Sequence, residues 1–144
     1  MGEGWSRMIL AYYSRTGNVR DFLSWYMPEY ERRNIEEWDA DEPFILVTPT
    51  YDFGQVPEYV GKWLQNVTAE VDAGDYRIQS INSDHLEGVI GSGNRNWGDN
   101  FAKAADTISE EYDIPLIAKF DLKGSDNNAE YIRRRFDALY DGWV

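Results

Sequence analysis

Met8-Ile9-Leu10-Ala11-Tyr12-Tyr13-Ser14-Arg15-Thr16-Gly17-Asn18 is the stretch that decides how this chain folds. Six apolar or aromatic residues stop abruptly at a turn-like run of hydroxyls, a glycine and an amide. So short an apolar run, flanked in this way, reads as a buried strand and not as a helix. Val19, Phe22, Leu23 and Tyr26 then recur at helical spacing until Pro28 ends the pattern. The unit is strand, polar loop, helix.

The same order repeats outward from there. Phe44 to Thr48 reads as a strand, Pro49 to Pro57 as a long loop, and Val60, Trp63, Leu64 and Val67 as the stripe of a second helix. Leu86 to Gly91 is a third apolar run, ending in Ser92-Gly93-Asn94-Arg95-Asn96-Trp97-Gly98. Phe101, Ala104, Ala105, Ile108 and Tyr112 predict a helix after it. Pro115 to Phe120 predicts another strand, and Ala129, Ile132, Phe136 and Leu139 a last helix. Glu31 to Ile35 fits a weak edge strand. Continuous apolar strands joined by crossover helices specify an α/β fold with a doubly wound, five-stranded parallel sheet. The polar stretch 68–84 fits no strand–helix slot and is expected to be an inserted excursion. At 144 residues the chain has room for a single domain, residues 1–144.

Composition removes whole classes of function. There are 14 Lys plus Arg against 26 Asp plus Glu, a net charge of -12, which disfavours nucleic acid and anionic membranes as partners. The absence of cysteine excludes disulfides, thiol nucleophiles and Cys-ligated clusters, and it fits the reducing cytoplasm. No apolar run approaches the roughly 20 residues needed to span a bilayer. The first seven residues lack the apolar core of a signal peptide.

In an open α/β sheet, ligands bind beyond the carboxyl ends of the strands. Three such ends carry unusual loops here: 14–18, 48–57 and 92–101. The first offers two hydroxyls, an amide and backbone N–H groups ahead of a helix, a set suited to a phosphate monoester. It is not a Walker A loop, and a strand–helix turn with capping residues explains it equally well. The glycines of 91–98 fail the dinucleotide fingerprint, because the third glycine is missing. Acid–base sets are poor. His85 is the only histidine, the acidic run from Glu36 to Glu42 has no metal-ligand spacing, and Arg133-Arg134-Arg135 reads as the exposed face of the last helix. No metal site is expected, and any demanding chemistry would belong to a cofactor.

The stretch from Gly88 to Asp106, containing Ser-Gly-Asn-Arg-Asn-Trp-Gly at 92–98, resembles the signature of the NrdI proteins. Ser-Arg-Thr-Gly-Asn-Val at 14–19, Pro-Phe-Ile-Leu-Val-Thr-Pro-Thr-Tyr at 43–51 and Phe-Gly-Gln-Val-Pro at 53–57 agree with it. Val19 departs from general flavodoxins, which commonly have Thr there.

The resemblance implies a flavodoxin-like sheet of order 2-1-3-4-5 with helices on both faces, binding FMN. It places the phosphate on Ser14, Arg15 (through its backbone), Thr16, Gly17, Asn18 and Val19. The isoalloxazine would lie between Thr48, Pro49, Thr50, Tyr51, Asp52, Phe53 and Gly54 on one side and Ser92, Gly93, Asn94, Asn96, Trp97, Gly98, Asn100 and Phe101 on the other. Tyr51 and Trp97 are the stacking candidates. Gly54, Gly93 and Gly98 are positions at which a peptide flip would follow protonation of flavin N5.

The implied role is that of a redox accessory flavoprotein and not a conventional turnover enzyme. Its reduced FMN would react with O2, and superoxide would pass to the dimanganese site of the class Ib ribonucleotide reductase small subunit to form a tyrosyl radical. A flavodoxin or ferredoxin reductase would supply the electrons. A general electron-transfer flavodoxin is the alternative. The negative charge is expected to lie away from the flavin edge, with Arg95 and Lys103 offering local relief.

Overall fold

The computed structural model describes residues 8–51 and 54–140. Met1 to Arg7, Asp52 and Phe53 lie outside the described residues, and so do the readings made on them. Among the described residues no helix is long and apolar enough to cross a membrane.

Five parallel strands form the main sheet: β1 (Ile9–Tyr12), β2 (Glu31–Asn34), β3 (Phe44–Pro49), β6 (Leu86–Gly93) and β7 (Leu116–Asp121). Their order is β2-β1-β3-β6-β7. Numbered within this sheet alone, that is the expected 2-1-3-4-5. Four helices cross over it: α1 (Asn18–Tyr26), α2 (Glu58–Gln65), α3 (Lys103–Tyr112) and α4 (Asp126–Leu139).

The two-residue period of the strands sorts the core into two layers. Leu10, Ile45, Val47 and Ile90 point to one face, where Val19, Phe22 and Leu23 of α1 and Ala129, Ile132 and Phe136 of α4 cover them. Ile9, Ala11, Phe44, Leu46 and Val89 point to the other, under Val60, Trp63 and Leu64 of α2 and Ala105 and Ile108 of α3. Helices therefore lie on both faces, and the central strands are buried on both sides, as their unbroken apolar runs require.

Several local expectations are corrected. Val67 does not belong to α2. That helix ends at Gln65, Asn66 is extended, and Val67 opens a strand with 47% of its surface exposed. The 68–84 excursion is an antiparallel hairpin, β4 (Val67–Ala73) and β5 (Tyr76–Ile81), followed by a 3-10 turn over Asn82–His85. Gly74, at φ +76°, supplies the positive φ that the first residue of a two-residue hairpin turn takes up. Phe101 precedes α3, which starts at Lys103 after Ala102 at φ +49°. Leu139 is exposed, and Tyr140 continues the packed stripe of α4.

The three arginines of α4 are not one solvated face. Arg133 donates to the Tyr26 carbonyl at 2.6 Å and to Glu29 at 2.8 Å. Arg135 donates to the carbonyls of Ile117 and Leu116 at 2.9 and 3.1 Å. Only Arg134 stays on the exposed side. These two guanidiniums fasten α4 to α1 and to β7.

Candidate flavin site

The carboxyl ends of β1, β3, β6 and β7 meet at a cleft of about 240 Å³. Its wall is built by Ser14, Arg15, Thr16, Asn18 and Val19, by Pro49, Thr50 and Tyr51, and by Ser92, Gly93, Asn94 and Trp97, with Leu122 closing the far side. Three loops far apart in sequence thus form one site, as the strand-end rule requires.

The first loop ends in Gly17, which caps α1 in the left-handed region at φ +93° with no side-chain cap of its own. Ser14 Oγ accepts from the Arg20 amide at 3.1 Å. That bond serves one of the helix's orphan donors. The amides of Asn18 and Val19 have no intrahelical partner, because a helix leaves its first N–H groups unpaired. The Thr16 hydroxyl and Asn18 amide line the same wall. Neutral donors, an open helix N-terminus and a lone guanidinium from Arg15 suit an anion. No Asp or Glu stands among the described residues of the wall.

The other two loops are tied together. Thr50, only 4% exposed, accepts from the Ala104 amide at 3.0 Å and so joins the β3 loop to the start of α3. Asn94 Oδ1 accepts from the Asn96 amide at 2.9 Å, fixing the turn that presents Trp97. Tyr51 meets Tyr13 edge-on, with centroids 6.4 Å apart, and the Arg15 guanidinium lies 5.6 Å from the Tyr51 ring centre. The Tyr51 hydroxyl is buried and points toward the Arg15 backbone without closing a hydrogen bond. Burial pushes that phenol up from its ordinary value, so it stays a protonated donor at neutral pH.

Not every expected residue reaches the cleft. Gly17 sits behind the loop as the helix cap. Thr48 is fully buried and donates to the Pro49 carbonyl at 3.0 Å. Gly54, Asn96, Gly98, Asn100 and Phe101 lie off the wall. Phe101 instead packs under Arg95 and Lys119, whose charged groups lie 5.0 and 5.9 Å from its ring centre.

Arg95 braces its own loop: its amide donates to Asp121 at 3.2 Å, and its side chain lies 3.8 Å from the same carboxylate. Its side chain is nonetheless 64% exposed, so the brace leaves its charge at the loop surface. Gly54 and Gly98 have positive φ, at +114° and +57°, but Gly93 does not. What Gly93 provides is space, since a Cβ there would lie 2.7 Å from the Ala102 nitrogen. Leu122 was missing from the expected set. It follows directly on β7, and extending the strand-end rule to that fourth strand finds it.

A parallel doubly wound sheet of this order, with an anion-ready loop after β1 and aromatic residues after β3 and β6, defines a flavodoxin-type protein. Two solved structures share the fold. A short-chain flavodoxin associated with an atypical PDU bacterial microcompartment superposes with a TM-score of 0.66 at 16% identity, over 95% of this chain and 98% of its own. Oxidised Flavodoxin 2 from Bacillus cereus gives 0.61 at 20% identity, over 93% and 98%. The NrdI flavodoxin-like family profile matches residues 10–134, and the chain belongs to that family. The cofactor of the family is FMN, and the donor set, the unpaired helix terminus and the lack of carboxylates among the described wall residues fit it.

Proposed function

We propose that this protein holds FMN in the β1–β3–β6 cleft and activates the small subunit of a class Ib ribonucleotide reductase in the cytoplasm. The observation that carries the reading is the placement of the 92–98 segment, whose Ser92, Gly93, Asn94 and Trp97 form the cleft wall opposite Tyr51. Reduced FMN supplies one-electron reduction of O2 to superoxide, and electrons reach the flavin from a flavodoxin or ferredoxin reductase. The chain's part is to bind and to orient. The 14–19 loop holds the phosphate through hydroxyls and amides. Tyr51 and Trp97 flank the ring. The one formal charge among the described wall residues is the Arg15 guanidinium, which attracts an anion.

The test is to mix the reduced, FMN-loaded protein with O2 and a manganese(II)-loaded small subunit and to look for tyrosyl radical by electron paramagnetic resonance. Radical formation is expected. Its absence, with electron transfer to other acceptors intact, would leave a general flavodoxin.

Two glycines should behave differently. A Cβ at Gly98 meets nothing within 4 Å, so only its positive φ disfavours alanine. Gly98→Ala is therefore expected to bind FMN and to change the spacing of its two one-electron potentials. Gly93→Ala must displace the backbone at Ala102 and should lower FMN affinity instead. Redox titration and flavin titration of the two variants check this, and identical behaviour would contradict it.

A further inference from the structure

Lys119 and Asp121 are charged residues in a strand whose other members, Leu116, Ile117, Ala118 and Phe120, are apolar. Being two apart, they share one face of β7. The register sets them beside Gly91 and Gly93 of β6, where a Cβ would lie 2.6 Å from the Ala105 side chain and 2.7 Å from the Ala102 nitrogen. The start of α3 therefore rests flat on β6 at these glycines. The two charged side chains rise next to it from β7.

Each takes one end of the 95–101 segment. Asp121 accepts from the Arg95 amide at the first end. Lys119, with its side chain 25% exposed, donates to the Phe101 carbonyl at 3.1 Å and to Asp106 of α3 at 2.5 Å. Hydrogen bonds from an ammonium to such acceptors are stronger than those of a neutral donor. Methionine would cover α3 as well as the lysine stem does, so packing alone does not call for a charge here.

Between the two fastened ends the backbone has a pivot. Gly98, at φ +57° and ψ -123°, interrupts the 3-10 turns of the segment. On one side of it the Trp97 amide donates to the Asn94 carbonyl at 3.0 Å, and on the other the Phe101 amide donates to the Gly98 carbonyl at 2.9 Å. Two short turns are thus joined at a glycine. With either end loose, they would swing about Gly98 and carry Trp97 with them.

We propose that Lys119 is a positioning residue of the candidate flavin site. By holding the Phe101 carbonyl beside Asp106 it fixes the segment that presents Trp97 to the cleft, and it confines rearrangement to the peptides at Gly98. Lys119 is not on the cleft wall, so it acts through Phe101 and Trp97. Its effect on a flavin rests on the FMN reading of the cleft, whereas the fastening of the segment does not.

Two variants test it. Lys119→Met keeps the stem and removes the donors, and Asp106→Asn removes the carboxylate that holds the ammonium. In the flavin-free protein, hydrogen exchange at the Trp97 and Phe101 amides should be at least about tenfold faster in Lys119→Met than in the parent. Asp106→Asn should speed it less. The amides of β3 should exchange as in the parent, which shows that each variant is folded. In the FMN-loaded protein both variants should shift the spacing of the two one-electron potentials in the same direction. A field effect alone would shift it in opposite directions, because one variant removes a positive charge and the other a negative one. Parent-like exchange at Trp97 and Phe101 overturns the proposal. So do shifts of opposite sign, and so does faster exchange with an unchanged spacing, which would make Lys119 a brace of the fold and no more. A parent that binds no FMN would instead remove the reading of the cleft, and exchange would then decide the fastening by itself.

Discussion

Asn82→Leu should lower the thermal unfolding midpoint by about 10 °C, the largest stability loss expected from a single polar residue in this chain. The side chain is fully buried and bonds to two different segments, the Asp39–Ala40 loop and the end of α2 at Trp63. Leucine has the same size but neither donates nor accepts. It strands the amide of Ala40, a residue only 3% exposed, and removes one of the two donors of the Trp63 carbonyl, which keeps the Asn66 amide at 3.1 Å. A stranded buried group costs about 1–3 kcal/mol and the lost bonds to Trp63 and Asp39 about 1 kcal/mol more, so the sum is about 3 kcal/mol. For a domain of this length each kcal/mol lowers the midpoint by about 3 °C. FMN affinity should be nearly unchanged, because the site lies at the other end of the sheet. Calorimetry of the parent and variant decides the matter. A shift of only a degree or two would mean that water replaces the amide and that the turn at Asn82 is less closed than it looks.

Thr16→Ala should cut FMN affinity by about one to two decades, the largest binding effect expected from removing a single hydroxyl here. Thr16 is exposed and lines the cleft beside the open end of α1. In the proposed complex its hydroxyl donates to the dianionic phosphate, an interaction of about 1.5–3 kcal/mol. Ser14 is a poorer probe, because its oxygen also accepts from the Arg20 amide and its loss would loosen α1. The apoprotein of Thr16→Ala should therefore melt with the parent while its flavin dissociation constant rises. An unchanged constant in a fluorescence titration would remove the 14–19 loop from the phosphate site.

The core was legible because it obeys short-range rules. Ile9 to Tyr12, Phe44 to Pro49 and the helices after them bury one stripe or two faces, and that demand is written in the spacing of apolar residues. The hairpin was not legible. Its alternation, Val-Thr-Ala-Glu-Val and Tyr-Arg-Ile-Gln-Ser-Ile, is a strand pattern, but it is short and rich in polar and small residues. Its apolar face stays exposed among the described residues. Periodicity announces burial, and this segment is not buried within the monomer.

The site divides in the same way. Loops at strand ends with glycine and hydroxyl residues can be found along the chain, and so can the order of elements that brings them together. Which members face the cleft cannot. Phe101 and Trp97 are both aromatic and four residues apart, yet Trp97 reaches the wall while Phe101 turns beneath Arg95 and Lys119. Arg95 faces solvent, and only the fold brings Asp121, at the end of β7, beside its amide and side chain. By itself the sequence determined the alternation of strand and helix, the sheet they must form and the end of the sheet where ligands bind, because each follows from local periodicity and the handedness of crossovers. Only the tertiary structure decided the partners of Asn82, the role of Arg95 and the two faces of the hairpin, because these depend on contacts between residues far apart in the chain.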